Sequence, residues 1–512
     1  MAAALITAAA FPPLHTIVLP FVGLVPFAVF IHGLPAGQEG RQAAVRGGLL
    51  FGLIYFGIVF YWILVALIWF TKLAILAFVG SMFMLAGLAG LFAWGLHRAV
   101  HTARVPIWLA LPVMWTGAEW FRAHWPSSLA FPWLGLGTSL TGFPEAVGIA
   151  EIVGARGVTF WLVLVNGLAA WAMIQHAAKK PWRRTTLVAV LVMILPVLWG
   201  VWRAGSLEIR DAARVAVVQP NIPEHIKIDR EAVMDSTLAS LSRLLPQVEP
   251  GSVDLVVMPE VTFPTYPMHP ISAPEMARMQ AWSREIGAPI MFGSLGVTFD
   301  DEGNSTAYNS AFVMEPQGLS AYQYDKRYMV PFVERIPLLP AGWLTGLQYF
   351  GGFGVGEGWP LLTVDETEFA PLICYESTYP QGARAFRREG ADILVNVTND
   401  AWYGREPLYA RTTALWQHPA HMVMRAIENR MGVARAANTG ISLFVDPVGR
   451  VYNATSLFEA DLRVDTVRTT DIVTFYTRFG DLAGSGAAAA ALMLIVGSFW
   501  VDRRRSVVEE AA

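Results

Sequence analysis

Two hydrophobic rhythms divide this chain. In the first 204 residues, and again close to the end, apolar positions follow one another in stretches of about 20, the length that crosses a bilayer as a helix. Such stretches run at 16–33, 48–70, 73–96, 105–121, 157–176, 185–202 and 484–502. Residues 2–11 (AAALITAAAF) are also apolar but short, and Pro12 and Pro13 end the run, because proline has no N–H with which to continue a helix. No basic segment precedes them, which argues against a cleaved signal peptide and leaves them as part of a further, shortened helix.

Between these regions the rhythm shortens. ARVAVVQ (213–219), VDLVVMP (253–259), PIMFGSL (289–295), YNSAFVM (308–314), LSAYQYD (319–325), FAPLICY (369–375), ADILVNV (391–397), GVARAAN (432–438) and ISLFVDP (441–447) read as strands bounded by turn residues. Amphipathic segments near 230–246, 273–287, 379–389 and 411–430 read as helices. Nearly continuous apolar strands alternating with helices imply sheets covered on their faces, an α/β domain. The expected organisation is a helical membrane bundle over 1–204, an α/β domain over 205–480, and a last membrane helix with a short basic tail over 481–512. There is no internal repeat.

Composition strengthens the membrane reading. The chain is 54% hydrophobic and only 15% charged, with a mean hydropathy of +0.44, whereas about a quarter of an ordinary soluble chain is charged. The charge is also divided. Residues before 205 hold 12 Lys+Arg against 4 Asp+Glu, and the remainder holds 25 against 36. An acidic water-facing domain lacks the basic footprint of a nucleic-acid binder. Lys and Arg in short loops mark the cytoplasmic side. With 2–11 counted as a span, Arg41/Arg46, Arg98/Arg104, Lys179/Lys180/Arg183/Arg184 and Arg503/Arg504/Arg505 fall on one side. Residues 205–480 then lie on the other. Trp120, Trp125 and Trp133 cluster around the loop at 122–156, where aromatic residues suit the membrane interface, and Glu119 and Arg122 are spaced to pair on a helix end.

The chemistry concentrates at strand ends. Glu260 follows VVMP, Lys326 and Glu334 lie in YDKRYMVPFVERIP, and Cys374, the one cysteine of the chain, sits in LICYES with Tyr375 and Glu376. Loops after strands are where α/β scaffolds carry their sites. Singly, each has an ordinary reading: a helix-entry carboxylate, a solvated lysine, a small core hydrophobe. Jointly they can do more. A thiol is a weak nucleophile at its free pKa of about 8.5; a carboxylate can take its proton, and an ammonium can favour first the thiolate and then an oxyanion. These are the parts of acyl transfer through a thioester.

The order PE, YDKRYMVPFVERIP, ICYES and NVTNDAWYG resembles the nitrilase superfamily, with its Glu–Lys–Cys set. With the flanking apolar spans, FPW at 131–133, VVQPNIP at 217–223, and WQH and MRAIENR within 416–430, it is similar to the apolipoprotein N-acyltransferase family over essentially the whole chain. The resemblance implies an αββα sandwich on a bundle of about eight helices. It implies Glu260 as general base, Lys326 as stabiliser of the tetrahedral intermediate and Cys374 as nucleophile. It marks Glu334, Tyr375 and Glu376 as important around them; Asn399 and Trp402, with Asp400, fall after a strand and are expected to shape the pocket. Three features depart from the family pattern: Ile228, Val333 and the long loop at 405–415.

The same resemblance implies a phospholipid acyl donor and a diacylglyceryl-apolipoprotein acceptor, in the bacterial inner membrane with the catalytic domain on the periplasmic side. It implies no metal, no cofactor and no nucleic acid, and a monomer is expected. The alternatives are a membrane-anchored nitrilase-like amidase or hydrolase with water as acceptor, and a transporter or scaffold with an external domain. Residues 338–359 (LLPAGWLTGLQYFGGFGVGEGW) read equally as a mobile lid or a packed Gly-rich loop. They lack the Lys-Ser/Thr ending of a phosphate loop. His418 and His421 have the spacing of metal ligands on a helix, but no neighbouring set completes a site, so a structural role is expected.

Overall fold

A computed structural model describes residues 1–68, 74–125, 129–224, 229–331, 333–334 and 352–510. Its first part is helical: α1 (Ala2–Ala8), α2 (Leu19–Val22), α3 (Val25–Gly33), α4 (Gln38–Phe60), α5 (Trp62–Ile68), α6 (Ala74–His101), α7 (Ile107–Ala123), α8 (Ala150–Ala177) and α9 (Arg183–Ser206). The α/β part follows, with β1 (Arg210–Gln219), α10 (Arg230–Leu244), β2 (Leu255–Val257), α11 (Ala273–Ile286), β3 (Ile290–Phe299), β4 (Ser305–Glu315) and β5 (Gly318–Asp325). Its second half holds β6 (Leu362–Val364), β7 (Thr367–Ile373), α12 (Pro380–Glu389), β8 (Ile393–Thr398), α13 (Ala414–Asn429), β9 (Gly432–Ala437), β10 (Leu443–Val445), β11 (Val451–Tyr452), β12 (Asp461–Thr469) and α14 (Phe475–Phe479). The last helix is α15 (Leu482–Glu510).

Five helices among the described residues are long and apolar enough to cross a membrane: 38–60, 74–101, 150–177, 183–206 and 482–504. Burial separates their roles. Two thirds of the most apolar window of α8 is buried inside the protein, against 11% for α9 and 22% for α15. α8 is therefore the core of the bundle, and α9 and α15 present apolar side chains outward. The stretch expected as one span at 16–33 is instead the short pair α2 and α3, and 48–70 is divided between α4 and α5. α8 starts seven residues earlier than its apolar run because Gly154, at φ 67°, kinks it. A side chain there would collide with the ring of Tyr476. The kink frees the N–H of Ala155, which donates to Glu428 on α13 at 2.8 Å.

The α/β part is two six-stranded sheets, ordered β12-β1-β2-β3-β4-β5 and β11-β10-β9-β8-β7-β6. β1–β2–β3 and β7–β8–β9 are parallel, and the outer strands join antiparallel. All nine strands and four helices expected from the apolar pattern are present. Alternation in β1 explains the layering: Val215 and Val217 join the core between the sheets, while Ala216 and Val218 pack with Leu241, Met279 and Trp282 of α10 and α11. α12 and α13 cover the second sheet, giving an αββα sandwich.

α13 is buried on both sides, because it also rests on α8. Arg430, at its C-terminal cap, reaches Glu151 at 2.5 Å and the Gly148 carbonyl at 3.0 Å. Arg156 of α8 pairs with Asp481, just before α15, at 2.6 Å. The bundle and sandwich are thus joined through the buried, hydrogen-bonded Arg430–Glu151 pair, whose rupture at one partner costs several kcal/mol (about 3–5).

Candidate active site

The C-terminal ends of β2, β5, β7, β8 and β9 converge. Glu260 lies beyond β2, Lys326 directly after β5, Cys374 after β7, Asn399 and Asp400 after β8, and Asn438 after β9. β2, β7, β8 and β9 are buried along most of their length, and β5, half-buried, is held by its ladder to β4, so the strand ends fix these side chains from rigid backbone. Glu260, Lys326 and Cys374 are all buried, and Lys326 is fully so.

Lys326 is the hub. Its Nζ donates to Glu260 Oε1 at 3.1 Å and to Glu334 Oε1 at 2.8 Å. Asn309, on β4, donates its Nδ2 to the same two oxygens at 2.8 and 3.0 Å. The second oxygens are also held, Glu260 Oε2 by the Asn399 N–H at 3.0 Å and Glu334 Oε2 by the Val330 N–H at 2.8 Å. Burial alone would drive the Glu260 carboxyl up, but Lys326 and the Asn309 amide outweigh it and hold the group below the usual carboxylate range. Burial likewise works against the Lys326 ammonium, and Glu260 and Glu334 overcome it, so its pKa is raised.

Cys374 lies beside Glu260 in the same cavity, close enough for the thiol and the carboxylate to influence one another. Burial first, and the negative charge of Glu260 second, push its thiol up. The resting pair is therefore a neutral thiol beside an ionised carboxylate, the state from which a base takes a proton as attack proceeds. Cys374 has φ 52°, a left-handed conformation that costs a non-glycine residue roughly 1–2 kcal/mol. It ends β7 and begins a single helical turn, Cys374–Thr378, whose first N–H groups have no partner within the turn.

The other expected residues divide in two. Glu334, Asn399, Trp402 and Tyr375 line the cavity with the Glu–Lys–Cys set. Glu376 is fully buried and braces the turn from behind, accepting from the N–H groups of Ile373 and Arg327, both at 2.7 Å, and from the Tyr324 hydroxyl at 3.0 Å. Burial pushes its carboxyl up to about 7, against the pull of those donors. Asn399 also accepts from Asn438 Nδ2 at 2.9 Å. The cavity has a volume of about 250 Å³, and its walls include Trp62, Ile63, Ala66 and Leu67 of α5 and Ser81, Met84 and Leu85 of α6. The Glu260–Lys326–Cys374 cluster in the sandwich thus opens onto an apolar chamber walled by the bundle.

Several residues were not read correctly from the sequence. Trp133 is not an interface aromatic: it is fully buried, donates to Gln417 Oε1 at 3.1 Å and stacks on His418. Glu119 and Arg122 do not pair with one another but both clamp the loop carrying Trp133. Glu119 accepts from Leu136 N at 2.8 Å, and Arg122 donates to the carbonyls of Trp133 and Leu134 at 2.7 and 2.8 Å. Asn309 was missed, because a single asparagine inside an apolar strand carries no signal of the carboxylates across from it.

Residues 335–351, which hold most of the stretch read as lid or packed loop, lie outside the described residues, as does Ile228. In the remainder of that stretch, 352–359, Gly356 is buried and its N–H donates to the Lys326 carbonyl at 2.9 Å, and Trp359 lies edge-on to Phe386, while Gly352, Val355, Glu357 and Gly358 are exposed. A Cβ at Gly356 would collide with the Asp325 carbonyl oxygen. Val333 lines the cavity. The loop at 405–415 exposes Leu408 and Tyr409 and donates from Thr413 N to the Tyr61 hydroxyl at 3.2 Å.

Comparison with known proteins agrees with this geometry. The carbon-nitrogen hydrolase family matches residues 214–474, and the apolipoprotein N-acyltransferase N-terminal domain matches residues 3–168. A protein from Geobacter metallireducens named apolipoprotein N-acyltransferase is 31% identical over 95% of this chain and 93% of its own. The chain belongs to the apolipoprotein N-acyltransferase family. A second relative of that name, from Chlorobaculum tepidum, is 28% identical over 92% of this chain and 90% of its own. Among solved structures, an amidase from Nesterenkonia sp. AN1 aligns at 19% identity with a TM-score of 0.36, covering 52% of this chain and 95% of that one, a likeness too shallow to add to the assignment. As a member of this family the chain is a membrane protein, and its α/β part is a carbon-nitrogen hydrolase domain placed against the family's helical bundle.

Proposed function

We propose that this protein transfers an acyl chain from a membrane phospholipid to the α-amino group of the diacylglyceryl-cysteine at the N-terminus of apolipoproteins, through a thioester on Cys374. The observation that carries this reading is the chamber: the Glu260–Lys326–Cys374 set faces apolar side chains of α5 and α6. An enzyme acting on a water-soluble amide has no need of such a wall, whereas a phospholipid acyl chain does.

In the first half-reaction Glu260 takes the proton of the Cys374 thiol as Sγ attacks the ester carbonyl. Lys326 and the Tyr375 N–H stabilise the oxyanion. The ester C–O bond breaks, the lysophospholipid leaves with the proton held by Glu260, and the acyl group stays on Sγ. In the second, the lipoprotein amine attacks the thioester carbonyl, Glu260 accepts the amine proton, the C–S bond breaks, and that proton returns to the thiolate. Two successive half-reactions on one nucleophile make a ping-pong scheme. Glu334 and Asn309 keep Lys326 and Glu260 in register throughout.

The membrane is read as the bacterial inner membrane, with residues 205–480 on the periplasmic side. The support is in the basic clusters. Arg41 and Arg98 both reach Asp502 of α15, at 3.5 and 2.8 Å, so two basic loops and the basic end of the chain gather at one end of the bundle, as cytoplasmic positive charge requires.

The test is a balance sheet of products. Enzyme in detergent with labelled phospholipid and a diacylglyceryl lipopeptide should yield N-acylated lipopeptide and lysophospholipid in step. Release of free fatty acid at the same rate with or without lipopeptide contradicts the transferase reading and favours a membrane-anchored hydrolase.

A further inference from the structure

We propose that His418 is a positioning residue for acyl transfer, holding the Cys374 carbonyl so that the following N–H is aimed at the oxyanion. This rests on the reading of Cys374 as the nucleophile.

His418 lies on α13 and is fully buried. Its Nε2 is 3.1 Å from the Cys374 carbonyl oxygen, and its Nδ1 is 2.8 Å from Asp400 Oδ1. The Cys374 carbonyl can only accept, so Nε2 donates to it, while Nδ1 faces Asp400 Oδ1 and, at 3.3 Å, Arg435 Nη2. Asp400 is itself held by Arg435 Nη2 at 2.5 Å and by the Thr398 hydroxyl at 3.0 Å. The imidazole also stacks on Trp133, with ring centroids 5.2 Å apart, a contact that fixes the plane of the ring. A chain of buried side chains thus ends on one backbone oxygen, that of the nucleophile.

The consequence follows from peptide planarity. In a trans peptide the C=O and the next N–H point in opposite directions. Among the described residues His418 is not part of the cavity wall, while Cys374 and Tyr375 are. Fixing the Cys374 carbonyl on the α13 side therefore turns the Tyr375 N–H towards the cavity. A donor on the carbonyl also polarises the peptide and makes that N–H a better donor. It further holds Cys374 in its left-handed conformation, which an unanchored turn would relax.

The experiment uses full-length enzyme in detergent and two reactions of one thiol. Acylation by labelled phospholipid passes through an oxyanion; alkylation by iodoacetamide does not. His418→Phe keeps a ring and removes the Nε2 donor to the Cys374 carbonyl. The expected result is a fall in the acylation rate of about 10²–10³-fold, the scale of a lost oxyanion donor, with alkylation unchanged. His418→Gln and His418→Met, close in volume, give the same contrast should the Phe variant not fold: Gln, which can donate to the carbonyl, retains acylation and Met loses it. Unchanged acylation in His418→Phe, equal rates for Gln and Met, or a parallel fall in acylation and alkylation overturns the proposal. Acylation that persists in Cys374→Ala instead overturns the reading beneath it.

Discussion

Trp133 and His418 stack with their rings 27° from parallel and their centroids 5.2 Å apart. One belongs to the bundle, on the loop between α7 and α8; the other belongs to the sandwich. The contact lies directly behind Cys374, so the bundle helps to build the proposed catalytic centre as well as holding it at the membrane. Trp133→Ala removes a fully buried indole and should cost about 3–5 kcal/mol. Thermal unfolding in detergent should show a lower midpoint, and acyl transfer should fall with it. Trp133→Phe, which keeps a stacking ring, should lie between.

The docking of the two parts also rests on Arg430 and Glu151. Arg430 is 1% exposed and serves Glu151, the Pro447 carbonyl and the Gly148 carbonyl. Arg430→Met leaves the two carbonyls and Glu151 Oε2 without this donor in a buried site, with Arg203 still on Glu151 Oε1. A loss of about 3–5 kcal/mol is expected, read by denaturation. It should not change the iodoacetamide reactivity of Cys374 in the fraction that remains folded.

Asn309 bridges Glu260 and Glu334. Asn309→Asp replaces a donor to two carboxylates by a third carboxylate, and should abolish thioester formation. Asn309→Ala removes the donor without adding charge and should leave measurable activity. Single-turnover acylation separates them, and equal rates in the two variants contradict a role for the amide in holding those carboxylates.

The strands were legible because they are apolar on both faces and bounded by turns. β12 was not. Its sequence, DLRVDTVRT, alternates charge with apolar residues, as a half-buried edge strand does, and it pairs with β1, which lies about 250 residues earlier. The Glu–Lys–Cys set was legible because reactive side chains stood at strand ends. Asn309 and His418 were not, since their partners lie 49 and 44 residues away in sequence. The apparent pair Glu119 and Arg122 fits helical spacing, but the loop at 133–136 competes for both side chains and takes them. His418 looked like half of a metal pair with His421, yet both of its nitrogens are committed to the nucleophile turn and to Asp400.

The pH behaviour of Cys374 and Glu260 should differ in sign. The thiol is raised by burial and by the Glu260 charge, so the iodoacetamide rate should keep climbing past about pH 8.5, where a free thiol levels off. Glu260 is depressed by Lys326 against its burial. Its basic form then survives acidification, and the acid limb of kcat/KM should begin only below about pH 4.3, the ordinary glutamate value. The stability that Glu260 contributes is present above that value and is lost as pH falls through its lower folded pKa. A thiol that levels off below neutrality contradicts the resting state described for the pair.

The most direct test of the thioester is mass spectrometry of the Cys374 peptide after the enzyme meets phospholipid alone. The expected spectrum carries one acyl group on Cys374, labile to hydroxylamine and discharged when a diacylglyceryl lipopeptide is added, with the same mass appearing on the lipopeptide amine. An enzyme that N-acylates the lipopeptide while Cys374 stays unmodified, or that does so with Cys374 replaced by alanine, contradicts it.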